Sequence, residues 1–514
     1  MTATETAFEH QLAESPTSAQ INARAAGRAE ARMLIDGDLV ESSTGQTFEN
    51  ISPATGKVLG VTHAAVPVDM ERAIAAARRA FDDTEWSTDF TLRKRCLMQL
   101  QEALESEQEY LRDELVAEAG APVMTTHMAQ LDWTLTDGLC SAVEQMDTFA
   151  WERTLDGGGL GGEGTHRAVW KEAVGVVGAI APWNFPFEIA ANKLAQALAT
   201  GNTVVLKPDP NTPWTATRIG RLIVENTDIP RGVVNVVPTP DNSVAQLMVT
   251  DPRVDLISFT GSTAVGKLIA ANSANTLKRV FLELGGKSAA VMLEDADVEA
   301  VIPNMAAVCM HAGQGCGITT RLVAPRGRMD EVLERLIELF TMIRPADPAL
   351  PDTLIGPVIN RRQQERILGY IERARTAGAE IAVGGGVPDD LPEELAGGTF
   401  VQPTIVTGVD NSAEIAREEV FGPVLVVLPY SDEDEALRIA NDSEYGLAGS
   451  VFSGSRERGL AFARRVRAGA MSVNGGIYYG GDAPFGGYKA SGLGRQNGIE
   501  GFESYLETKT VAYT

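Results

Sequence analysis

The chain has little cysteine, with four residues in 514. Four scattered thiols are too few for a disulfide framework, and they form neither a CxxC pair nor a Cys/His cluster with zinc-ligand spacing. We therefore expect no metal site and a reducing compartment. The four cysteines are Cys96, Cys140, Cys309 and Cys316.

Basic charge and long apolar runs are also scarce. Lys and Arg number 44 against 69 Asp and Glu, which gives a net charge of −25. This balance argues against a nucleic acid partner and against binding to an anionic membrane surface. No apolar run approaches the length that crosses a bilayer, and the first thirty residues lack a signal-peptide core. The expectation is a cytoplasmic protein.

Alternating strand and helix patterns dominate the middle of the chain. A helical stretch over 66–150 is followed by a glycine-rich break at 156–162. Largely apolar strands that alternate with helices predict a parallel, doubly wound α/β sheet, in which ligands bind beyond the carboxyl ends of the strands. The predicted strands are 174–181, 203–207, 233–237, 254–259 and 279–283, and the predicted helices between them are 188–199, 212–225, 242–249 and 262–272.

The flanking segments give further predictions. Segments 34–41 and 47–53 are expected to form a small hairpin, and 21–33 a loose surface helix. Asp69 is the predicted N-cap of a helix over 70–81. A second α/β unit is predicted from helices at 298–311, 328–340 and 432–443 and strands at 400–406, 424–429, 448–452 and 469–473, followed by an edge strand at 508–513.

One thiol has an unusual local setting. Residues 313–317 read Gly-Gln-Gly-Cys-Gly, so that Cys316 lies between two glycines. Glycines permit a sharp turn and leave a side chain accessible, and here they are expected to widen the space around the thiol. The sequence permits a reactive thiol or a buried structural one. His311 also permits a Cys–His hydrolase pair.

A stiff loop follows the first predicted parallel strand. Residues 182–186 read Pro-Trp-Asn-Phe-Pro, and the two prolines fix the turn. Asn184 is thereby held at the sheet edge, where a rigid amide donor could stabilise an oxyanion. The alternative is an Asn that only caps the next helix.

Two other strand ends carry polar motifs. Residues 259–267 place Gly261 and Ser262 at the start of a helix, as a pyrophosphate-binding turn requires. They also resemble a nucleotide triphosphatase loop, but Leu268 replaces the magnesium-binding Ser or Thr, and a bare glycine turn remains an alternative. At the end of the next strand, Glu283 is either a general base with a raised pKa or a solvated carboxylate.

These motifs together resemble the NAD(P)-dependent aldehyde dehydrogenase superfamily. Two later motifs complete the set, Glu-Glu-Val-Phe-Gly-Pro-Val at 418–424 and Pro-Phe-Gly-Gly-Tyr-Lys-Ala-Ser-Gly at 484–492. All six occur in the order of that superfamily and cover all but about the first thirty residues. The resemblance implies a Rossmann-like doubly wound parallel-sheet cofactor domain, a second α/β catalytic domain and a small β oligomerisation arm.

The resemblance also implies domain limits and an oligomer. A homodimer or homotetramer is expected, with the arm and the tail crossing between subunits. The implied divisions are a flexible N-terminal extension (1–30), a dinucleotide-binding domain (31–151 and 173–284), a catalytic thiol domain (285–485), and an oligomerisation arm and tail (152–172 and 496–514).

The resemblance implies the following chemistry. Cys316 matches the nucleophile that converts an aldehyde to a carboxylic acid through a thiohemiacetal and a thioester. Asn184 and the backbone N–H of Cys316 match the oxyanion hole, and Glu283 matches the general base. Phe485 is expected to line the substrate funnel. Cofactor contacts match Trp183, Lys207, Gly261, Ser262, Glu419 and Phe421.

One departure affects the cofactor. Many NAD-using relatives carry a Glu three residues after the lysine matched by Lys207, and this chain has Pro210 there. Loss of that carboxylate makes NADP tolerable, while Asp209 partly restores the repulsion of a 2′-phosphate, so NAD is preferred and NADP is possible. A CoA-acylating aldehyde dehydrogenase and a catalytically silent protein of this fold remain alternatives.

Overall fold

The computed structural model describes residues 15–155 and 164–514, and the predicted break at 156–162 lies outside them. Two large, mostly parallel sheets form two bodies of the fold. The strands are β1 Met33–Ile35, β2 Asp38–Val40, β3 Thr47–Ile51, β4 Val58–His63, β5 Glu152–Thr154, β6 His166–Ala173, β7 Val176–Ile180, β8 Thr203–Lys207, β9 Val234–Val236, β10 Leu256–Thr260, β11 Arg279–Glu283, β12 Ser288–Met292, β13 Thr319–Pro325, β14 Glu380–Val383, β15 Thr404–Thr407, β16 Val424–Tyr430, β17 Ala448–Phe452, β18 Ala470–Val473, β19 Gly492–Leu493 and β20 Leu506–Tyr513.

Helices cover both large sheets. Among the described residues, no helix is both long and apolar enough to span a bilayer. The α-helices are α1 Ser18–Ala26, α2 Pro67–Asp83, α3 Phe90–Ser106, α4 Gln108–Ala119, α5 Val123–Thr125, α6 Leu139–Thr148, α7 Pro186–Ala199, α8 Trp214–Asn226, α9 Asn242–Thr250, α10 Thr263–Ser273, α11 Val298–Met305, α12 Met329–Met342, α13 Arg361–Thr376, α14 Glu414–Arg417, α15 Glu433–Asn441, α16 Arg456–Ala463 and α17 Gly498–Glu503.

The first sheet has the strand order β19-β11-β10-β7-β8-β9-β1-β2. Strands β11, β10, β7, β8 and β9 are parallel, and antiparallel strands flank them at both edges. Neighbouring residues of one strand enter different cores, since Val204 packs under helices α3, α7 and α8 while Val205 packs under α2 and α9. Apolar side chains on both faces explain the continuous hydrophobic runs. The predicted doubly wound sheet is confirmed.

The second sheet has the order β14-β15-β16-β13-β12-β17-β18, and all its strands except β14 are parallel. Its core is rich in Val, Ile and Leu from the strands and from helices α11 to α15. This unit confirms the second α/β body. The hairpin β3–β4 forms a separate two-stranded sheet.

The tail pairs within its own chain. Strand β20 runs antiparallel to β6 over its whole length, from Leu506 opposite Ala173 to Tyr513 opposite His166. Strand β5 completes this small sheet. The predicted tail strand is confirmed, and it pairs with the arm of the same chain.

Two predictions near the N-terminus are wrong. Segment 34–41 does not pair with 47–53, because an Asp-Gly turn closes β1 onto β2 directly. Asp36 and Gly37 have φ angles of 55° and 77°, as a tight two-residue hairpin requires. The predicted surface helix over 21–33 is instead α1, which ends at Ala26, and Ile21 and Ala25 are buried against α4.

The predicted N-cap of α2 is also wrong. The helix begins at Pro67, whose fixed φ suits the first helical position. Asp69 lies inside the first turn, and its Oδ2 accepts a hydrogen bond of 3.1 Å from the N–H of Val66. The side chain therefore caps the helix from within.

Candidate active site

Four parallel strands of the first sheet bring their carboxyl ends to one edge. Ile180 pairs with Lys207, Phe259 with Ile180, and Thr260 with Glu283. The segments that follow β7, β8, β10 and β11 must therefore meet at this edge. These segments carry all the predicted motifs of the first body.

Glu283 is the last residue of β11 and is only 2% exposed. Its backbone oxygen accepts a hydrogen bond of 3.0 Å from the N–H of Gly261, which fixes the strand end. Burial raises the pKa of Glu283 to about 8. Its Oε1 atom is buried without a hydrogen-bond partner. A carboxyl group in this state can take a proton near neutral pH.

Cys316 lies on a strained loop before β13. The predicted helix over 298–311 ends early, because α11 gives way to tight 3₁₀ turns. His311, Ala312 and Gly313 have φ angles of 47°, 53° and 73°. Left-handed backbone at non-glycine residues is unfavourable and needs support from neighbouring contacts. The chain thereby reverses direction just before the thiol.

Gln314 supplies that support. Its Nε2 donates a hydrogen bond of 3.0 Å to the backbone oxygen of His311, and its Oε1 accepts one of 2.8 Å from the N–H of Ile359. The Gln314 side chain is fully buried. These bonds tie the thiol loop to itself and to a separate segment of the second body.

The glycines around Cys316 permit close contacts with neighbouring side chains. A Cβ at Gly315 would lie 2.6 Å from Cδ1 of Ile318, and one at Gly317 would lie 3.0 Å from the hydroxyl of Tyr478. That hydroxyl donates a hydrogen bond of 3.1 Å to the oxygen of Gly317. Gly315 and Gly317 therefore permit these close contacts beside the thiol, and both residues also line the cavity in front of it.

Asn184 connects the two bodies. It is 4% exposed, and its Nδ2 donates a hydrogen bond of 2.8 Å to the backbone oxygen of Gln314, two residues before the thiol. This bond uses one of the two N–H groups of the amide. The amide has a second N–H group.

Buried carboxyl groups lie near the thiol. Burial, with the carboxylates of Glu283 and Glu419, raises the pKa of the Cys316 thiol well above its usual value. The thiol therefore stays protonated near neutral pH until a base removes its proton. His311 does not supply that base, because burial lowers its pKa to about 4 and its ring packs edge-to-face against Phe185.

Glu419 lies against the turn after β11. The N–H of Gly286 donates a hydrogen bond of 2.8 Å to Oε1 of Glu419. A Cβ at Gly285 would lie 2.2 Å from Oε2, so only glycine permits this approach. Burial raises the pKa of Glu419 to about 7. The double glycine thus seats a carboxylate from the second body beside Glu283.

The remaining predicted cofactor residues form two groups. Trp183 and Phe421 pack edge-to-face at 5.3 Å between ring centroids, although they come from different bodies. Ser262 caps helix α10, and its Oγ accepts a hydrogen bond from the N–H of Val265. Lys207 is 7% exposed, and burial lowers its pKa. A helix N-terminus, a lysine and a carboxylate at one sheet edge suit a dinucleotide.

A cavity of about 420 Å³ lies in front of the thiol. Asn184, Glu283, Cys316 and Phe485 all contribute to its wall, so the structure gathers them around one space. Sequence reasoning missed several lining residues, because nothing in their local pattern marks them. The missed residues include Met128, Glu188, Met310, Ile477, Tyr478, Tyr479 and Gln496.

Comparison with known proteins gives a consistent result. Residues 39–511 match the aldehyde dehydrogenase family. A 3-succinoylsemialdehyde-pyridine dehydrogenase of Pseudomonas sp is 40% identical over 481 residues, which cover 93% of this chain and 97% of that protein. A putative aldehyde dehydrogenase of Bacillus subtilis is 36% identical over 485 residues, covering 93% and 95%.

Solved structures agree with this result. Betaine aldehyde dehydrogenase from Staphylococcus aureus, in complex with NAD+, has a TM-score of 0.92 and 35% identity, with 96% of this chain and 97% of that chain covered. An indole-3-acetaldehyde dehydrogenase of P. syringae, in complex with NAD+ and IAA, has a TM-score of 0.91 and 35% identity, with 97% and 100% covered. This chain belongs to the aldehyde dehydrogenase family.

Proposed function

We propose that this protein oxidises an aldehyde to a carboxylic acid at Cys316, with NAD as the hydride acceptor. The observation that carries the proposal is the convergence of Cys316, Glu283 and Asn184 on one cavity at the carboxyl edge of a dinucleotide-binding sheet. Three groups from distant segments thereby supply a nucleophile, a base and an oxyanion donor.

The first step is attack by the thiol. Glu283 takes the proton of Cys316, and the sulfur forms a bond to the aldehyde carbon to give a thiohemiacetal. The free N–H of Asn184 and the backbone N–H of Cys316 stabilise the oxygen that gains negative charge. Donors fixed in advance are effective here because they need no reorganisation during the reaction.

Bound NAD accepts the hydride that leaves the thiohemiacetal carbon. The residues that would hold it are the α10 N-terminus at Ser262 for the pyrophosphate, Lys207 for the adenosine ribose, and Glu419 for the nicotinamide ribose. Trp183 and Phe421 would border it. Glu419 suits a hydroxyl because one of its oxygens already accepts the N–H of Gly286, which fixes the other.

Hydrolysis completes the reaction. After hydride loss, Cys316 carries a thioester. Glu283 releases the first proton to solvent, takes a proton from the water that attacks the thioester, and returns it to the sulfur that leaves. The products are the carboxylic acid and the free thiol. The unpaired Oε1 of Glu283 gives the carboxyl group an open acceptor for this water.

The NAD preference rests on the loop after β8. Pro210 removes a carboxylate that would bind ribose hydroxyls and repel a 2′-phosphate. Asp209, which accepts a hydrogen bond of 2.9 Å from the N–H of Asn211, still holds a negative charge in this loop that opposes a 2′-phosphate. The cofactor site therefore admits NADP more weakly than NAD. Fluorescence titration with both cofactors measures the ratio of the two dissociation constants.

The predicted domain limits and a homo-oligomer stay part of this proposal. The exposed outer edge of strand β20 supports association, since it leaves backbone groups that a second chain could pair with. Sedimentation velocity of the full chain tests the oligomer.

The test of the proposed function is the Cys316→Ala variant. We expect reduced nicotinamide to appear with the wild type and aldehyde, and the variant to lose at least about 10⁴-fold of this rate while still binding NAD. Cys309→Ala is the matched control, because that cysteine is buried in the second core and lies outside the cavity.

Two results would contradict the proposal. Oxidation retained by Cys316→Ala would remove the thiol from the mechanism. If the protein formed an acyl-CoA product in the presence of coenzyme A and no free acid, coenzyme A rather than water would be the acceptor of the acyl group.

A further inference from the structure

The substrate cavity has an uneven charge distribution. Among its described lining residues there are two carboxyl groups, Glu188 and Glu283, and no Lys or Arg. The imidazole of His311 also lines the cavity, and its lowered pKa keeps it neutral at physiological pH. Most of the remaining wall is apolar or aromatic. Glu283 belongs to the mechanism above, but Glu188 has no role in it.

Glu188 is fixed in the wall by an aromatic neighbour. It lies on helix α7, one turn after Asn184, and is 3% exposed. The hydroxyl of Tyr479 donates a hydrogen bond of 2.7 Å to its Oε1. The Tyr479 ring packs against Phe485 and Trp133, each at 5.1 Å between centroids. The carboxyl group is therefore held in place rather than free to swing away.

The nearest buried cation is committed elsewhere. Lys193 is one helical turn or more beyond Glu188, and its Nζ donates to the hydroxyl of Ser258 at 3.0 Å. It also lies 5.0 Å from the centroid of the Phe281 ring. Lys193 is not part of the cavity wall. The positive charge of Lys193 partly opposes the effect of burial on the pKa of Glu188. Its ammonium group does not line the cavity, so it offers no hydrogen-bond donor to a bound substrate.

Glu188 acts electrostatically on the reacting groups. Its charge contributes to the raised pKa values of both Cys316 and Glu283. A ligand that reaches the thiol thus comes within the field of Glu188. An incoming carboxylate would lose its hydration, meet no cation in the wall, and approach a fixed group of the same charge. Each of these effects is unfavourable.

We propose that Glu188, held by Tyr479, is a specificity-determining residue that restricts this site to aldehydes with an uncharged, largely apolar body and rejects aldehydes that carry a carboxylate. This inference rests on the proposed function. The apolar wall formed by Met128, Met310 and Ile477 favours such a body through burial of apolar surface.

A matched pair of substrates tests the inference. Adipic semialdehyde and its terminal amide have nearly the same shape and differ in charge. We expect the wild type, at a pH above the Glu188 pKa of about 7, to prefer the amide by about 100-fold in kcat/KM, because like charge and lost hydration oppose the acid. Glu188→Gln should narrow this ratio by about tenfold, mainly through a lower KM for the acid.

Two further variants serve as controls. Glu102→Gln changes an exposed carboxylate outside the cavity and should leave the ratio at the wild-type value. Tyr479→Phe keeps the ring and removes only the hydroxyl that fixes Glu188, so the ratio should narrow by less than in Glu188→Gln. A thermal unfolding curve for each variant establishes that it folds.

Equal kcat/KM for the two aldehydes in the wild type would overturn the inference. An unchanged ratio in Glu188→Gln would remove the role of that residue. Calorimetric binding of 6-oxoheptanamide and 6-oxoheptanoate, two methyl ketones that cannot be oxidised in this way, repeats the comparison without turnover. We expect weaker binding of 6-oxoheptanoate in the wild type and a smaller difference in Glu188→Gln, and equal binding would overturn the inference even if no aldehyde were oxidised. Failure to oxidise any aldehyde would instead contradict the proposed function.

Discussion

The two parallel sheets contribute to the site in different ways. The first sheet places Glu283 at the end of a regular strand and Asn184 on a proline-bounded turn. The second sheet supplies Cys316 and Phe421 from loops, and these loops contain left-handed residues at His311, Ala312 and Phe421. The register of the first sheet is enough to position Glu283 and Asn184. The positions of Cys316 and Phe421 depend instead on side-chain hydrogen bonds that tether their loops.

Those tethers are hydrogen bonds from the side-chain amides of two glutamines. Gln314 holds the thiol loop, and Nε2 of Gln363 donates to the backbone oxygen of Phe421 at 2.8 Å. A left-handed non-glycine residue costs on the order of 1–2 kcal/mol. The protein therefore keeps its nucleophile on strained backbone and its base on relaxed backbone, and substitutions in the two regions should differ in their effects.

The largest effect on the first-sheet side is expected from Glu283→Gln. Loss of the general base should lower kcat by about 10²–10⁴-fold, with cofactor binding preserved. Burial raises the pKa of Glu283 to about 8, so its basic form is scarce at low pH. The wild-type rate should therefore rise with pH through about 8 and then level off.

In Glu283→Gln this rise should disappear. Residual activity should increase only at higher pH, where the Cys316 thiol ionises unaided, since its pKa is raised by burial and by nearby carboxylates. Measuring the oxidation rates of the wild type and of Glu283→Gln over a series of pH values tests this prediction. An unchanged rise near pH 8 in the variant would assign the titration to another group.

Asn184→Ala removes the oxyanion donor that joins the two sheets. We expect kcat to fall by about 10²–10³-fold with little change in NAD affinity. Asn192→Ala is a control on the helix that follows Asn184, because Asn192 is buried but donates to Asn497 outside the reacting groups. A similar loss of kcat in both variants would mean that the effect is structural.

The smallest effect is expected from Gln314→Ala, which cuts the tether of the thiol loop. Removal of its buried hydrogen bonds should lower the free energy of unfolding by about 1–3 kcal/mol. The left-handed segment before Cys316 should then relax, and kcat should fall by about tenfold as the thiol loses its position. Chemical denaturation and steady-state kinetics measure the two quantities.

Gln363→Ala tests the second tethered loop, which carries Phe421 and borders the proposed cofactor site. Its tether holds Phe421 rather than the thiol, so KM for NAD should rise while kcat changes less. If both Gln variants kept wild-type kinetics, the strained loops of the second sheet would not depend on these amides.

The regular strands that end at the site are the elements that the sequence predicts most accurately. The bounds predicted for 203–207, 279–283 and 448–452 agree with β8, β11 and β17. Each is an apolar or β-branched run bounded by turn residues. Because parallel strands align their carboxyl ends, placing Lys207 and Glu283 at one edge required only this pattern.

The central strands of the second sheet were not predicted. Strand β12 is built mainly from small residues with weak strand preference, and β13 contains Arg321. Arg321 is buried because its guanidinium donates to the backbone oxygen of Lys287 and to Asn411. Only tertiary contacts make an arginine acceptable there.

Hydrogen bonds between side chains that are distant in the sequence could not be predicted either. Glu188 and Tyr479 are 291 residues apart, and the sequence around neither residue predicts a hydrogen bond between them. The strain at His311 and Ala312 cannot be inferred from residue types that ordinarily avoid left-handed backbone. By contrast, the six ordered motifs identified the family, which the comparisons confirm.

The central claim is that Cys316 forms the covalent bond to the substrate, and trapping the thioester tests it most directly. At a high pH, where the Cys316 thiol ionises without a base, Glu283→Gln should form the thioester and hydrolyse it slowly. Mixing this variant with aldehyde and NAD, followed by acid quench and peptide mass spectrometry, should show one acyl group on the peptide that contains Cys316. An unmodified Cys316 peptide together with accumulated reduced nicotinamide, or an acyl group on a peptide with another cysteine, would contradict the account.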